Sequence, residues 1–147
     1  MEPIDLFSEN RTTFQLRATT KQGVIDELIG LLDKDGVLSD RESFRKAVLK
    51  REEEFSTGIG MGIAIPHGKS EAVKVTAIAF GRSERGVEFD SLDEQPAHLF
   101  FMLAVPEQAG EEQLIALTEI SKRLMHEETR NRLNQAGTYE ELLEVFR

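Results

Sequence analysis

The amino-acid sequence predicts an α/β fold in which helices and strands alternate within one domain. Its 147 residues, 39% of them hydrophobic, match the usual size of a single domain and suffice to bury a core. Apolar residues recur at helical spacing towards both ends of the chain, whereas the middle carries the alternating or continuous apolar runs typical of strands. No repeat, low-complexity segment or Pro/Gly/Ser-rich linker divides the chain, so we expect residues 1–147 to form one domain.

Two helices are predicted before the glycine-rich centre of the chain. Thr20 is the predicted N-cap of the first helix, and Lys34-Asp35-Gly36 marks its end. Ser39 or Asp40 opens the second helix, which ends in the acidic run Glu52–Glu54. The apolar faces comprise Val24, Ile25, Leu28, Leu31 and Leu32 in the first helix and Phe44, Ala47 and Val48 in the second.

Strands are predicted in the middle of the chain. A brief strand, Ile63–Ile65, follows the glycines, and Lys74–Gly81 carries side chains that look buried on both faces. Val87–Phe89 alternates like a half-exposed strand. Ala97–Val105 is almost wholly apolar, which predicts a central strand, and Pro106 ends it.

Three helices are predicted for the remainder. The first has a shared face made of Leu114, Leu117, Ile120, Ser121 and Leu124. A shorter helix runs near Glu127–Leu133. Thr138 and Glu141 form a capping box at the start of the last helix, ahead of Leu142, Leu143 and Val145. We expect both ends of the chain to dock as helices.

Composition excludes several classes of function. The lack of cysteine excludes disulfides, thiolate metal sites and a cysteine nucleophile, and no apolar run is long enough for a membrane span. The acidic start, MEPIDLFSENR, lacks the features of a secretory signal, so we expect a cytoplasmic location. The 27 acidic and 18 basic residues give a net charge of −9, which opposes binding to nucleic acid or to an anionic membrane.

The candidate chemistry centres on His67. The segment Gly60–Gly68 reads Gly-Met-Gly-Ile-Ala-Ile-Pro-His-Gly and places this histidine at the end of a short strand. A neutral imidazole is a nucleophile and a possible metal ligand, and its unperturbed pKa lies near physiological pH. We therefore take His67 as the first candidate for a catalytic residue.

Other catalytic templates fail on spacing. A phosphate-binding loop ending in Gly68-Lys-Ser would need a glycine at position 63, and the glycines at 58, 60 and 62 precede a strand instead of following one. Arg130 stands where a zinc-protease helix beginning at His126 would need its second ligand. We expect no metal site, and we assign structural or solvent roles to His98 and His126.

Two segments carry a family resemblance. TGIGMGIAIPHGKS at residues 57–70 and GVEFDSLDEQPAHLFFMLAVPE at residues 86–107, with Arg51 upstream, resemble the enzyme IIA component of the bacterial sugar phosphotransferase system, fructose/mannitol type. The likeness covers nearly the whole chain. It implies a mixed β-sheet flanked by helices on both sides, and a histidine that accepts a phosphoryl group from the carrier HPr and passes it to a cysteine of the IIB component. The membrane component IIC then transports the sugar, and no cofactor is required.

The resemblance assigns roles residue by residue. His67 matches the phospho-acceptor, with Nε2 as the attacking atom, and Arg51 matches the active-site arginine, whose guanidinium can bind phosphate oxygens bidentately. The alternative for Arg51 is simple pairing with Glu52–Glu54. Gly68 is expected to leave the backbone near the phosphate uncrowded, so that an amide can donate to it. A backbone carbonyl is expected to fix the other ring nitrogen of His67.

The sequence departs from the family at one position. Many relatives carry a second histidine where this chain has Gln113, an amide that can hydrogen-bond to phosphate but cannot carry a charge near neutral pH. A helix-surface glutamine without a role is the alternative. Met61, Ile59 and Phe55 are expected to form an apolar docking patch for protein partners, because interfaces favour methionine and aromatic residues. Core burial is the alternative for Ile59 and Phe55.

Two other functions remain open at this point. A regulatory module of the same fold, of the nitrogen type or from a transcriptional regulator, would use phosphorylation as a signal. A hydrolase with His67 as general base lacks a serine or cysteine in an elbow motif. The segment GVEFDSLDEQPAHLFF favours the fructose type over the mannitol type.

Overall fold

A mixed six-stranded sheet with helices on both faces forms the centre of the fold, as the resemblance implied. The computed structural model describes the whole chain, Met1–Arg147. The strands are β1 (Thr12–Thr13), β2 (Gly58–Gly60), β3 (Ile63–Ala64), β4 (His67–Lys69), β5 (Ala77–Val87) and β6 (Ala97–Val105). The helices are α1 (Lys21–Lys34), α2 (Arg41–Glu54), α3 (Glu111–Leu124), α4 (Glu127–Gln135) and α5 (Tyr139–Phe146). Two short 3₁₀ helices, Pro3–Leu6 and Glu9–Arg11, precede β1.

The predicted helix starts are confirmed by their caps. Side-chain oxygens of Thr20, Asp40 and Thr138 accept a hydrogen bond from the backbone N–H three residues further on, at 3.1, 3.2 and 3.1 Å. Asp40, and not Ser39, therefore opens α2. The hydrogen bond from the Ser43 N–H to the Asp40 carboxylate lowers the pKa of Asp40 below its ordinary value.

Strand β6 is central, as its apolar run predicted. It pairs antiparallel with β5 on one side and parallel with both β3 and β4 on the other. Ile63 of β3 lies opposite Leu99, and His67 of β4 lies opposite Leu103 further along the same strand. Strand β2 covers the outer side of β3, whereas the outer side of β4 has no strand neighbour.

Each face of the sheet covers its own hydrophobic core. Helices α1 and α2 bury one cluster against β5 and β6, which includes Phe44 and Val48. The second cluster, which includes Ile78 and Phe101, lies under α3, α4, α5 and the N-terminal segment. Alternate residues along each strand serve the two cores in turn, so a residue's place in the strand decides which helices it meets.

Two strand predictions need correction. The predicted strands Lys74–Gly81 and Val87–Phe89 are replaced by the single strand β5, and a register shift between Arg82 and Val87 lets it bend and continue. The segment Lys74–Val75 is exposed and precedes this strand. The two-residue strand β1, which pairs with β5, is too short for any sequence pattern to reveal.

The N-terminal end of the chain differs from the prediction, whereas the C-terminal end agrees with it. Helix α5 docks at the C-terminus as expected, with Leu142 and Phe146 buried. At the N-terminus the docking is done by the 3₁₀ helices, which bury Leu6 and the adjoining Phe7. None of the helices is long and apolar enough to cross a membrane.

Candidate active site

His67 begins β4 at an open edge of the sheet. Pro66 separates it from β3 and has no N–H to donate, although its carbonyl accepts a hydrogen bond from Leu103 N–H at 2.9 Å. The imidazole is half-buried. Because the outer side of β4 has no strand neighbour, no strand covers His67 from that side.

The tautomer of His67 is fixed by the backbone. Its Nδ1 lies 2.9 Å from the carbonyl oxygen of Ile65. A carbonyl oxygen can only accept, so this hydrogen bond puts the ring proton on Nδ1 and leaves the lone pair on Nε2. The predicted backbone carbonyl is therefore present, and the structure identifies it as that of Ile65.

Arg51 lies in the last turn of α2. Its Nη1 donates to the carbonyl of Phe55 at 2.8 Å, and its Cζ lies 4.6 Å from the centroid of the Phe55 ring. The alternative in which Arg51 pairs with Glu52–Glu54 is wrong, because Arg51 forms no ion pair. Most of its five N–H donors therefore have no protein partner.

Hydrogen bonds and a three-residue stretch of backbone, residues 55–57, connect Arg51 to His67. The chain leaves α2 at Phe55 and reaches Thr57, whose carbonyl accepts from Ile65 N–H at 3.0 Å. The carbonyl of Ile65 in turn holds the His67 ring. The end of α2 and the start of β4 consequently meet at the same edge of the sheet.

Glu52 anchors this end of α2, a role that the sequence did not reveal. Its carboxylate accepts from the N–H and the hydroxyl of Thr57 and forms an ion pair with Lys21 at 2.9 Å. Only 7% of the Glu52 side chain is exposed. The acidic run that was predicted to end the helix in solvent thus contains one buried residue, which ties α2 to α1 and β2.

Gly68 is required for a reason other than the predicted one. It is buried, and a methyl group at its α-carbon would lie 2.9 Å from Val48 Cγ2 and 3.0 Å from Phe44 Cε1. The side that lacks a side chain thus faces α2, on the opposite face of the sheet from the His67 ring. Gly68 allows α2 to approach β4 closely, and the space it leaves is filled by that helix and not available to a phosphate.

Gln113 is held by a buried threonine. The hydroxyl of Thr76, a residue that is 5% exposed, donates to Oε1 of Gln113 in the first turn of α3. The alternative of a surface glutamine without a role is therefore wrong, since the side chain is half-buried and bonded. Sequence patterns did not single out Thr76, because the predicted strand Lys74–Gly81 treated it as one more strand residue.

The predicted docking patch is only partly exposed. Phe55 is 64% exposed and Met61 is 46% exposed, but Ile59 packs against the core under α3 and does not belong to the patch. Leu114, assigned to the buried face of its helix, is 48% exposed, and its neighbour Ile115 is 60% exposed. Both follow Gln113 directly and add apolar surface beside the candidate site.

A strained turn presents Met61. Gly60, Met61 and Gly62 all have positive φ, at 95°, 59° and 79°. The Asp93 carboxylate accepts from Met61 N–H at 2.9 Å and from Gln95 N–H at 3.0 Å, and these bonds lower the pKa of Asp93. The glycines of the motif thus build a turn that exposes a methionine, since left-handed backbone is easily adopted by glycine.

The remaining histidines and the main cavity lie elsewhere. His98 Nδ1 contacts the carbonyl of Ser83 at 2.9 Å, and the exposed His126 precedes α4.

A cavity of about 620 Å³ opens beside β1, lined by polar residues that include Arg82 and His98 but not His67. No group of three or more His, Asp or Glu side chains is placed to hold a metal ion.

Comparisons with known proteins agree on one family. The family model described as "Phosphoenolpyruvate-dependent sugar phosphotransferase system, EIIA 2" matches residues 5–147. The fructose-specific EIIABC component of Bacillus subtilis (strain 168) is 44% identical over 146 residues, which is 99% of this chain but 23% of that protein. This chain therefore spans about a quarter of the length of that relative. A fructose-specific EIIA component of Haloferax volcanii is 42% identical over 86% of this chain and 82% of its own length.

Solved structures lead to the same conclusion. The nitrogen regulatory protein IIA-Ntr from Neisseria meningitidis has a TM-score of 0.88 at 29% identity, over 98% of both chains. The complex of enzyme IIA-mannitol with phosphorylated enzyme IIB-mannitol from Escherichia coli contains a chain with a TM-score of 0.79 at 27% identity, covering 96% of this chain and 98% of that one. With a family match across nearly the whole length, this chain belongs to the EIIA type 2 family of the phosphoenolpyruvate-dependent sugar phosphotransferase system.

Proposed function

We propose that His67 is the residue on which this phosphotransferase carries its phosphoryl group, and that Arg51 stabilises that group during transfer. One observation carries the assignment of His67: the Ile65 carbonyl fixes the proton on Nδ1, so that Nε2 presents its lone pair at an edge of the sheet without a strand neighbour. His98 and His126 lack this combination of a fixed tautomer and an open edge.

The transfer needs few chemical groups. Nε2 of His67 attacks the phosphorus in line as the N–P bond of the donor phosphohistidine breaks, and the electron pair of that bond returns to the donor ring. The His67 proton stays on Nδ1, where Ile65 holds it. The protein then has two tasks, which are to align the rings and to stabilise the charge on three phosphoryl oxygens.

Arg51 is suited to the second task. Its guanidinium is already oriented by the Phe55 carbonyl and ring, and its remaining donors are free to bind phosphoryl oxygens. The anchoring of α2 by Glu52 keeps the backbone of Arg51 in place. Pre-orientation reduces the conformational entropy that binding would otherwise remove.

The partners follow from the family and its relatives. We propose that phosphorylated HPr is the donor and that a IIB component is the acceptor, docking over Phe55, Met61 and the exposed start of α3. The complex of a similar IIA with phosphorylated IIB supports the second partner. A fructose-type system, working with a membrane IIC component on the cytoplasmic side, is favoured by the two fructose-specific relatives, and residues 1–147 would form its EIIA domain.

The experiment is incubation with phosphorylated HPr followed by intact-mass analysis and peptide mapping. We expect the wild-type protein to gain one acid-labile phosphoryl group, the His67→Ala variant to gain none, and the matched control His98→Ala to be labelled like wild type. Labelling of His67→Ala to the same extent as wild type would refute the assignment.

A regulatory role is the second candidate function. It is favoured by the TM-score of 0.88 with the nitrogen regulatory protein of Neisseria meningitidis. Such a protein would use the same phosphohistidine as a signal. Deletion in the host separates the two functions, because loss of sugar uptake supports the transport role and altered gene expression with uptake preserved supports the regulatory one.

A further inference from the structure

The contact between Thr76 and Gln113 joins two parts of the fold beside the candidate site. Thr76 directly precedes β5, and Gln113 lies in the first turn of α3. The hydroxyl of Thr76 donates to Oε1 of Gln113, and no buried side-chain nitrogen or oxygen in the structure lacks a partner. The hydroxyl of Thr76, which is almost fully buried, therefore has the Gln113 oxygen as its hydrogen-bond acceptor.

This bond decides where the other side of the amide points. With Oε1 occupied by Thr76, the NH₂ group of Gln113, which has two donors, is turned away from the threonine and bonds to no protein atom. Free rotation of the amide would let oxygen and nitrogen exchange places. In the structure the threonine hydroxyl holds the oxygen, so the NH₂ group is the side of the amide that remains without a protein partner.

Strand register places the amide on the same face as the His67 ring. His67 lies opposite Leu103 of β6, which in turn lies opposite Ile78 of β5, so these side chains share one face. Thr76 is two residues from Ile78 and shares that face. With strands about 4.8 Å apart and about 3.3 Å per residue along them, the α-carbons of His67 and Thr76 are roughly 12 Å apart.

This separation fits a ligand between them. The imidazole and the amide that bonds to Thr76 lie on this face of the sheet, and a separation of this size leaves room for a phosphoryl group on Nε2. A neutral N–H donor at this place can bind a phosphoryl oxygen without a change of protonation. Glu111 and Glu112, which face solvent beside Gln113, would repel the same group, so a donor held in a fixed orientation matters here.

We propose that Thr76 is a positioning residue for phosphoryl transfer, whose hydroxyl orients the Gln113 amide so that its NH₂ group donates to the phosphoryl group on His67. The proposal rests on the function proposed above for His67. It assigns to Thr76 and Gln113 together the role that a titratable histidine would have at the position of Gln113. The contribution of this pair to the rate does not change between pH 5 and pH 8, because neither group titrates there.

A double-mutant cycle tests the proposal. The rate of phosphoryl transfer from phosphorylated HPr is measured for wild type, Thr76→Val, Gln113→Ala and the double variant, with Thr118→Val as control. Thr118 is a matched threonine of α3 whose hydroxyl bonds only within its own helix, to the Leu114 carbonyl at 3.0 Å. We expect each single variant to transfer about tenfold more slowly, because Gln113→Ala removes one hydrogen bond to a charged group and Thr76→Val no longer holds the amide in the orientation that makes this bond.

Coupling and rescue distinguish positioning from general stability. The double variant is expected to be no slower than either single variant, since both changes remove the same interaction. Thr76→Ser keeps the hydroxyl and is expected to restore the wild-type rate. Thr118→Val is expected to transfer at the wild-type rate. Thermal unfolding of each variant shows whether a loss of rate merely follows a loss of fold.

One further variant does not depend on the folding of Thr76→Val. Gln113→Glu keeps an oxygen for the Thr76 hydroxyl but replaces the donor with an anion, and it is expected to transfer more slowly than Gln113→Ala. Three results would each overturn the proposal: wild-type rates for Thr76→Val, additive losses in the double variant, or a Gln113→Ala variant that is faster than wild type because Oε1 had faced the phosphoryl group.

The same measurements separate the two proposals. If His67 is not the acceptor, wild type and His67→Ala behave alike in the labelling experiment. If only the positioning role is wrong, His67 is labelled in all variants and Thr76→Val is labelled as fast as wild type.

Discussion

Two sites on the sheet carry similar sets of residues. The first, at the open side of β4, contains His67 and Arg51, whose guanidinium stacks on Phe55. The second, at the start of the central strand β6, contains His98 and Arg82, whose Cζ is 5.0 Å from the centroid of the Phe14 ring. Both histidines have Nδ1 2.9 Å from a backbone carbonyl. Residue types and a fixed tautomer therefore do not distinguish an active site from a structural site in this fold.

The surroundings of the free groups make the difference. A methyl group on Gly86 would lie 2.9 Å from Nε2 of His98, so that ring packs closely on the glycine. Arg82 Nη1 donates to the carbonyls of Leu133, Asn134 and Ala136 at the end of α4, where a cation is favoured. His67 and Arg51 have no comparable commitments. The candidate active site is therefore distinguished by a ring nitrogen and guanidinium donors that have no protein partner.

The largest expected effect tests the two arginines against each other. Arg51→Ala is expected to slow phosphoryl transfer by about 10²-fold with an unchanged fold, because it removes a donor from the developing charge. Arg82→Ala is expected to transfer normally but to lose about 1–3 kcal/mol of stability, because carbonyls at the end of α4 lose a charged donor. Rapid-quench labelling measures the rates and urea unfolding measures the stabilities, and equal rates for the two variants would remove the contrast between the two sites.

The next effect concerns Gly68, the neighbour of His67 in β4. Gly68→Ala is expected to reduce the free energy of unfolding by about 1–3 kcal/mol, since its methyl group would overlap Val48 and Phe44. Gly137→Ala is the control, because the only atom within 4 Å of that position is Glu141 Oε1 at 3.8 Å, an ordinary contact distance. Urea unfolding measures both. A Gly68→Ala variant as stable as the control would mean that α2 can move away from β4 without loss.

A smaller effect is expected on the docking surface of the His67 edge. Phe55→Ala is expected to raise the KM for phosphorylated HPr about fivefold, which corresponds to roughly 1 kcal/mol of binding energy. Met61→Ala is expected to raise it less, because Phe55 also supports Arg51. Met125→Ala, at the far end of α3 and 47% exposed, should leave the KM unchanged. If all three variants have the same KM, the partner docks elsewhere.

The smallest effect is a pH dependence at the turn that exposes Met61. The pKa of Asp93 is lowered by the hydrogen bond from Met61 N–H, so its contribution to stability is complete above the ordinary value of 3.8 and is lost as the pH falls through the lower folded value. As the pH falls below about 4, the Asp93→Ala variant is expected to lose less of its free energy of unfolding than wild type loses. Urea unfolding from pH 6 to pH 3 measures it, and parallel curves would contradict the assignment.

Local signals predicted most of the helices. Thr20, Asp40 and Thr138 are caps that depend on residues within one turn, so the sequence contains all the information needed to place them. The central position of β6 followed from its length and apolar character. His67 was the first candidate because of its place at a strand end, but its role as phospho-acceptor and the choice of Arg51 depended on the family resemblance, since an isolated histidine or arginine carries no such information.

Long-range packing explains what the sequence did not predict. The role of Gly68 depends on α2, which lies some twenty residues earlier in the chain, and the role of Thr76 depends on Gln113 in α3. Leu114 fits the helical period but lies on the edge of the apolar face, where the neighbouring sheet no longer covers it. None of these relations leaves a pattern within a single element.

The separation of β3 from β4 by Pro66 has a consequence for solubility. An unpaired strand edge can act as a template on which other chains assemble into extended sheets. Strand β4 offers only three residues, with a proline before it and the charged, exposed Lys69 at its end. The interruption thus lets the molecule keep one side of its sheet accessible to transient partners while denying aggregating strands a ladder long enough to hold them.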